Sequence, residues 1–313
     1  LGPWSVSMRV DYDVVDNKLV QTNKDDALAT VFVNPDAQER TYLTETLEID
    51  EHTLTSALDP DELPRLEFEP EHTVLIFKNP KNYSATDELL LKAMSVGVFL
   101  FKDRVVVVAS EDIPSLNIAR FARVRTATDF LLYLLYRSIF HFREHLKVIN
   151  MISDNLQDEI KSSMDNRKLI DLFTLQKSMV YYLYAIQGNG ALMDKLKSNA
   201  AKIRLSVEQL ESLDDIIVEN NQCFRQAEIY ANILASLMDA RASIVSNNLN
   251  VLMKTLNLIT IFIMLPTFVV SAFSMNVDLP WNLKQQPYAF WIIMGLAFLS
   301  IVGGFIFWRH KKW

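Results

Sequence analysis

The side chains able to do chemistry in this 313-residue chain are mainly oxygen ligands: 38 Asp and Glu stand against 31 Lys and Arg, five His and one Cys. A net charge of -7 and a pI near 5.3 suit cations and argue against nucleic acid, whose phosphates need a basic surface. Cys223 alone permits neither an internal disulfide nor a zinc-thiolate cluster. No Gly-rich phosphate loop, nucleophile elbow or paired histidine ligands are evident, so an enzyme is not expected. Asp59 to Pro70 superficially suggests a calcium loop but lacks the central Gly. Asn82-Tyr83-Ser84 spells a glycosylation sequon in a segment expected to stay in the cytoplasm. What remains is Ser274-Met275-Asn276, a polar stretch between two apolar runs, in which Asn276 taken alone would be an ordinary turn residue.

Those runs are the elements that must position it. Residues 256-273, Leu256 to Phe273, are eighteen residues without a charge, long enough at about 1.5 Å per residue to cross a hydrocarbon core. Residues 288-308, Tyr288 to Trp308, are twenty-one uncharged residues with aromatics at both ends, where headgroups would lie. Pro266 deletes one backbone bond in the first span, which membrane helices tolerate with a kink. Residues 274-287 join the spans and carry only Asp278 and Lys284 as charges. Lys254 before the hairpin and Arg309, His310, Lys311 and Lys312 after it place both outer ends in the cytoplasm and the loop outside. No signal peptide is evident, so the large part should stay where it is made.

Residues 1-125 read as an α/β domain. Its strand candidates are Thr30 to Val33, Thr73 to Lys78, Val96 to Phe101 and Arg104 to Ala109, the last two forming a hairpin across Lys102-Asp103. Helices are expected over Glu39 to Leu47, His52 to Leu58 and Asp87 to Met94, with Asp59, Pro60 and Pro64 as breakers. Residues 126-255 read as a helical stalk, with helices over Phe130 to Met164, Arg167 to Ser198 and from Val207 onward. Gly188 and Gly190 cost roughly 2 kcal/mol against alanine and predict a break or a tight packing point. From Val207 to Phe273 no Gly occurs, and no Pro precedes the membrane part. Leu210, Leu213, Ile217, Asn220, Phe224, Ala227, Ala231, Leu234 and Met238 fall at alternating three- and four-residue steps, the pattern of a helix-packing seam. Asn220 reads equally as a register-setting residue or as an ordinary polar lapse.

Ser246, Asn250, Met253, Lys254 and Leu256, then Met264, Pro266, Thr267 and Phe268, then Met275, Asn276 and Val277, together resemble the CorA family of magnesium channels. The basic-aromatic ending Trp308 to Trp313 and the earlier stretch Ser56 to Glu67 look like the same family, so the resemblance covers most of the chain. The family signature after the first span is Gly-Met-Asn, usually preceded by Tyr. Here Phe273 and Ser274 replace Tyr and Gly, and Ser271 replaces a glycine one turn earlier. Glycine permits positive φ, so Ser274 is expected to reshape the loop at the outer ion site.

The resemblance implies an α/β cytoplasmic domain, long stalk helices and a two-helix transmembrane hairpin, assembled as a funnel-shaped homopentamer in a bacterial or archaeal inner membrane. It implies a passive channel for Mg²⁺, with Co²⁺, Ni²⁺ or Zn²⁺ as further ions, and neither nucleic acid nor a small-molecule substrate as partner. Ser274, Met275 and Asn276 would form the selectivity filter for a hydrated ion. Asn250 would form a second polar ring, and Met253, Leu256 and Met264 an apolar constriction. Regulatory Mg²⁺ would bind between subunits at Asp215 and Asp239, with Asp87 or Glu88 from the facing domain, and Arg309, Lys311 and Lys312 make the basic tail. A zinc-handling relative and a non-conducting membrane-anchored ion sensor or scaffold are the alternatives.

Overall fold

Apolar side chains alternate along the central strands with both faces occupied, which calls for a sheet covered on two sides. The computed structural model describes residues 8–15, 18–22, 27–82, 89–113, 124–162, 166–275 and 287–310. β1 (Met8–Val15), β2 (Lys18–Thr22), β3 (Ala29–Val33), β4 (Arg65–Phe68), β5 (Thr73–Pro80), β6 (Ala93–Leu100) and β7 (Val105–Ala109) form one sheet in the order β2-β1-β3-β7-β6-β5-β4. Its only parallel pair is β3 with β7, Val31 opposite Val107. β6 and β7 form a hairpin closed by the Phe101 amide donating to the Arg104 carbonyl. Val105, Val107, Leu75 and Phe77 point to one face of the sheet, while Val106, Val108, Val74 and Ile76 point to the other.

The smaller face is covered by a π-helical turn (Tyr42–Thr46) and α2 (Glu51–Leu58), preceded by the short α1 (Ala37–Thr41), which buries no side chain. Gly97 lets α2 approach closely, since a Cβ there would stand 2.4 Å from the Ala57 Cβ. The larger face is covered by α3 (Ala127–Ser162) and α4 (Asn166–Ser198); after the single turn α5 (Ala200–Ile203) the start of α6 (Val207–Phe273) packs on those helices and joins the same core. α7 (Ala289–His310) ends the described chain. Packing divides the protein into two compact units, Leu1–Met238 and Asp239–Trp313. α3, α4 and the start of α6 share one core with the sheet, so no packing boundary falls at residue 126.

One expectation needs correcting, and at the glycine pair the close-packing alternative holds. Of Asp87 to Met94, the described part is not helical: Leu89 takes a left-handed φ of 68° and β6 begins at Ala93. The Lys81 amide donates to the Lys92 carbonyl, prolonging the β5–β6 ladder, and Ser178 Oγ of α4 accepts from the Leu91 amide and bonds the Leu89 carbonyl. The helix across Gly188 and Gly190 is unbroken. A Cβ on Gly188 would meet Pro64 at 2.7 Å and one on Gly190 would meet Asn220 Nδ2 at 3.0 Å, so both glycines mark close packing. Asn220 is buried and its Nδ2 donates to the Ile186 carbonyl, which pins α6 against α4 at one register.

The stretch Ser56 to Glu67 has a structural explanation centred on Lys78 of β5, which is 4% exposed. Its Nζ donates to the Pro60 carbonyl at 2.5 Å and to Ser95 Oγ at 3.0 Å, and Ser95 Oγ donates to the Asp59 carbonyl. Burial lowers the Lys78 pKa, opposed by the charges of Asp61, Asp59 and Glu62. Arg65 pairs with Glu62 and Glu67, completing the loop. β4 pairs with β5 only as far as Ile76, so the outer backbone edge of Lys78 has no strand partner. Asn189 of α4 replaces one, its Oδ1 accepting from the Lys78 amide and its Nδ2 donating to the Lys78 carbonyl, both at 2.8 Å. Replacing Asn189 by Leu orphans the buried amide, so we expect a loss of about 1–3 kcal/mol, read as a lower thermal midpoint by circular dichroism.

Between α3 and α4 lie His141, His145 and Tyr182, with Phe142 edge-on to the Tyr182 ring. Burial lowers both imidazoles, His141 to about 4 with His145 and Arg137 adding to the effect. The unfolded chain takes up this proton near the ordinary value of 6.5, so His141 costs no stability above that pH and an increasing amount as pH falls toward 4. The thermal midpoint should fall on acidification from about pH 7.5 to about pH 5, and His141→Leu should flatten that dependence.

Candidate functional site

In the second unit the hairpin presents an apolar helix with one polar face. Asn250, Met253, Asn257, Thr260, Met264, Thr267, Ser271 and Ser274 follow one another at alternating three- and four-residue steps along α6, and all are exposed. Between Leu256 and Ser274 every polar side chain falls on this row, while its neighbours are Leu, Ile, Val, Phe and Met. Asp239, Ser243 and Ser246 continue it toward the start of the unit. Leu256 stands beside the row, one residue before Asn257.

α7 packs on another side of α6. A Cβ on Gly304 would stand 2.9 Å from Leu265 Cδ1 and 3.4 Å from Phe262 Cε1, so the second helix lies against Phe262 and Leu265. At about 100° per residue these two positions sit roughly 150° around α6 from the polar row. The row therefore faces away from the hairpin partner. α7 itself carries Phe290 and Trp291 at one end and Phe305 and Trp308 at the other, with Trp291 75% exposed.

The hydroxyls on the row have fixed hydrogens. Thr260 Oγ1 donates to the Leu256 carbonyl at 2.9 Å, Thr267 Oγ1 to Ile263 at 2.7 Å, and Ser274 Oγ to Ser271 at 2.8 Å. These three oxygens then have only lone pairs left to offer, while the Asn250 and Asn257 amides add donors as well as acceptors to the face. Ser274 also closes the helix, its amide donating to the Val270 and Ser271 carbonyls. It is absent from the described non-glycine residues with positive φ, so no glycine conformation is required where the signature has one. Met275 follows, exposed, and Asn276 lies outside the described residues.

Asp215 lies in the first unit, on the wall of a cleft of about 1380 Å³ between the β4–β5 turn, the start of α3 and the start of α6. Glu69, Glu71, Asp129, Glu208 and Glu219 share the cleft with Lys102, Arg125, Lys202 and Arg204. Several of these charges are already engaged. Asp129 accepts from the Arg125 and Thr126 amides and from Gln209 Nε2, Glu219 pairs with Arg143 at 2.7 Å, and Lys202 lies over the Phe68 ring. Asp215 is exposed and forms no ion pair with the described residues. Among the described residues no three His, Cys, Asp or Glu side chains converge on one point. Asp239 is exposed in the second unit, and Arg309 lies in the last turn of α7. Asp87, Glu88, Lys311 and Lys312 lie outside the described residues.

Sequence reasoning named Asn250, Met253 and Met264 but passed over Asn257 and Thr260 as site residues; counting heptads from Asn250 and from Met253 would have found them. It also passed over His141 and His145, whose spacing of four residues puts both rings on one helix face.

Comparison with known proteins covers nearly the whole chain. The model of a family described as CorA-like Mg²⁺ transporter protein matches residues 30–311. The cobalt/magnesium transport protein CorA of Methanocaldococcus jannaschii is 22% identical over 323 residues, spanning 98% of each chain. The putative metal ion transporter YfjQ of Bacillus subtilis is 32% identical over 98 residues, 31% of this chain and 27% of that protein. In fold, the complete structure of the M. jannaschii CorA magnesium transporter superposes with a TM-score of 0.82 at 20% identity, again over 98% of both chains. With its sheet, long α6, apolar hairpin and the match over residues 30–311, this chain belongs to the CorA-like Mg²⁺ transporter family.

Proposed function

We propose that the protein is a passive channel for hydrated divalent cations, Mg²⁺ foremost and Co²⁺ or Ni²⁺ besides, in which copies of α6 surround an axis as a homopentamer. The observation that carries this reading is the exposed row of hydroxyls and amides on α6, turned away from α7. Hydroxyls and amides facing lipid are costly, and two spans alone enclose no water. A ring of copies turns the row inward and leaves α7 to the lipid.

Mg²⁺ sheds water reluctantly, and the waters around it are hydrogen-bond donors. A lining of fixed acceptor oxygens receives that shell without stripping it. Asn276, with Ser274 and Met275, forms the outer filter, and Asn250 and Asn257 form amide rings farther in. Met253, Leu256 and Met264 supply the apolar collar whose dewetting closes the pore. Two charges crossing about 100 mV gain about 4.6 kcal/mol, so the membrane potential suffices for influx.

Regulation follows from the cleft. Mg²⁺ is held by one or two carboxylates together with waters. Asp215 offers one exposed carboxylate, and a neighbouring copy supplies the second, from Asp87 or Glu88 or from its own helix. Asp239 repeats the arrangement nearer the membrane. High cytoplasmic Mg²⁺ bridges these groups and holds the ring closed; its loss leaves repulsion that opens the ring.

The primary test is dye-reported uptake of Mg²⁺, Co²⁺, Ni²⁺ and Zn²⁺ into proteoliposomes. Mg²⁺ entry is expected from the unaltered protein and from Ser274→Gly, and Asn257→Leu with Thr267→Val should cut it about ten-fold while assembly persists on size exclusion. Entry of Zn²⁺ alone, or of no ion, would sink the reading. Asp215→Asn combined with Asp239→Asn should weaken inhibition by internal Mg²⁺, seen as currents that persist at millimolar Mg²⁺; inhibition identical to the unaltered protein would exclude these carboxylates as the sensor.

A further inference from the structure

In the first unit α6 is an acidic helix with a single basic side chain. Between Val207 and Met238 its acids are Glu208, Glu211, Asp214, Asp215, Glu219 and Glu228, and its base is Arg225. Asp214 pairs with Lys197 of α4 and Glu219 with Arg143 of α3. Arg225 is exposed and forms no ion pair or side-chain hydrogen bond with the described residues.

Its position on the helix is away from the packing face. Asn220, whose Nδ2 donates to the Ile186 carbonyl, marks the side of α6 that lies on α4. Arg225 follows five residues later, roughly 140° around the helix at about 100° per residue. Counted on from Asp215 in alternating three- and four-residue steps, α6 carries Val218, Gln222, Arg225, Ile229 and Asn232, all exposed. Along the sequence this is the register that Asp239 and Asn250 continue.

Where copies of α6 surround an axis, each residue of this register recurs as a ring on the path of the ion. Rings of Asp attract a cation; a ring of guanidinium groups, charged at every working pH, repels it. At about 1.5 Å per residue Arg225 stands about 15 Å along α6 from Asp215 and about 21 Å from Asp239, beyond the screening length of about 8 Å at physiological salt. Neither carboxylate cancels it at that distance. Glu228, three residues on, lies about 60° round the helix and forms no ion pair with it.

We propose that Arg225 forms a positive ring on the cytoplasmic side of the conduction path and limits the rate at which divalent cations leave the pore. This rests on the channel reading and adds to it a residue that holds the current below what the acidic helix alone would permit.

The test is recording of Mg²⁺ current from the full-length protein in giant liposomes, with Mg²⁺ chelated on the cytoplasmic side so that inhibition is relieved. At an ionic strength of about 0.01 M, where the screening length is about 30 Å, Arg225→Gln should raise the inward current about three-fold and Arg225→Glu further, while Arg225→Lys should leave it unchanged. At about 1 M, with a screening length of about 3 Å, all versions should converge. In Arg225→Cys, a cationic methanethiosulfonate reagent applied to channels already conducting should return the current toward that of the unaltered protein, and an anionic one should not; the native Cys223 is buried. Equal currents from the unaltered protein and Arg225→Gln at low ionic strength overturn the proposal, as does Arg225→Lys conducting like Arg225→Gln. A lower current from Arg225→Gln with assembly intact on size exclusion also overturns it, in favour of an ion pair between copies. No current from the unaltered protein under any of these conditions overturns the channel reading itself, and this proposal with it.

Discussion

The edge of β5 at Lys78 is the point on which the first unit depends. A short β4 leaves that edge without a strand, and a buried amide and carbonyl without partners would be costly. α4 answers with Asn189, whose amide replaces both missing backbone bonds, and α3 adds Ser138, whose Oγ donates to the same carbonyl at 2.8 Å. Because Asn189 must reach the strand, α4 lies close enough to Pro64 that only glycine fits at 188. The buried Lys78 ammonium then fixes the Asp59–Pro60 loop from the other direction. Sheet, loop and two helices thus meet at one residue.

α6 inherits its placement from that arrangement. Asn220 meets α4 beside Gly190, and the buried Leu213, Ala227 and Leu234 follow on the same seam. In the second unit the same helix faces a different requirement. Packing against α7 claims the side bearing Phe262 and Leu265, and from Leu256 onward the remaining surface is apolar except along one row. Helical periodicity turns scattered Asn, Thr and Ser residues into a continuous surface, and back-donation to the helix's own carbonyls leaves the Thr260 and Thr267 oxygens as acceptors on it.

The glycine missing from the signature illustrates how local geometry limits what a motif can mean. Glycine is indispensable where φ is positive, and in this chain the described non-glycine residues that take such angles are Asn34, Glu48, Leu89 and Arg204. Ser274 is not among them. Its hydroxyl and amide close the last turn of α6, which ends at Phe273 without glycine.

Much was legible in the sequence because it depends on short-range patterns. The absence of Gly and the late Pro fixed α6 at Val207–Phe273, and the uncharged runs marked both spans. The β6–β7 hairpin followed from alternation across Lys102-Asp103. The outer strands β2 and β4 and the neighbouring β1 went unread, since Asp11 and Asp13 in β1 and Glu67 in β4 mask alternation and only pairing with neighbours stabilises these strands. Leu89 to Met94 carried a helical pattern that Ser178 and the β5 ladder override. Gly188 and Gly190 announced themselves by composition, but break and close contact look alike until Pro64 and Asn220 are in place. The sequence determined the long helices, the central hairpin and the two apolar runs, because periodicity and length are local properties. The tertiary structure alone decided what Lys78, Asn189, His141 and His145 touch and which side of α6 remains open, because those contacts join residues far apart in the chain or depend on which face a neighbouring helix covers.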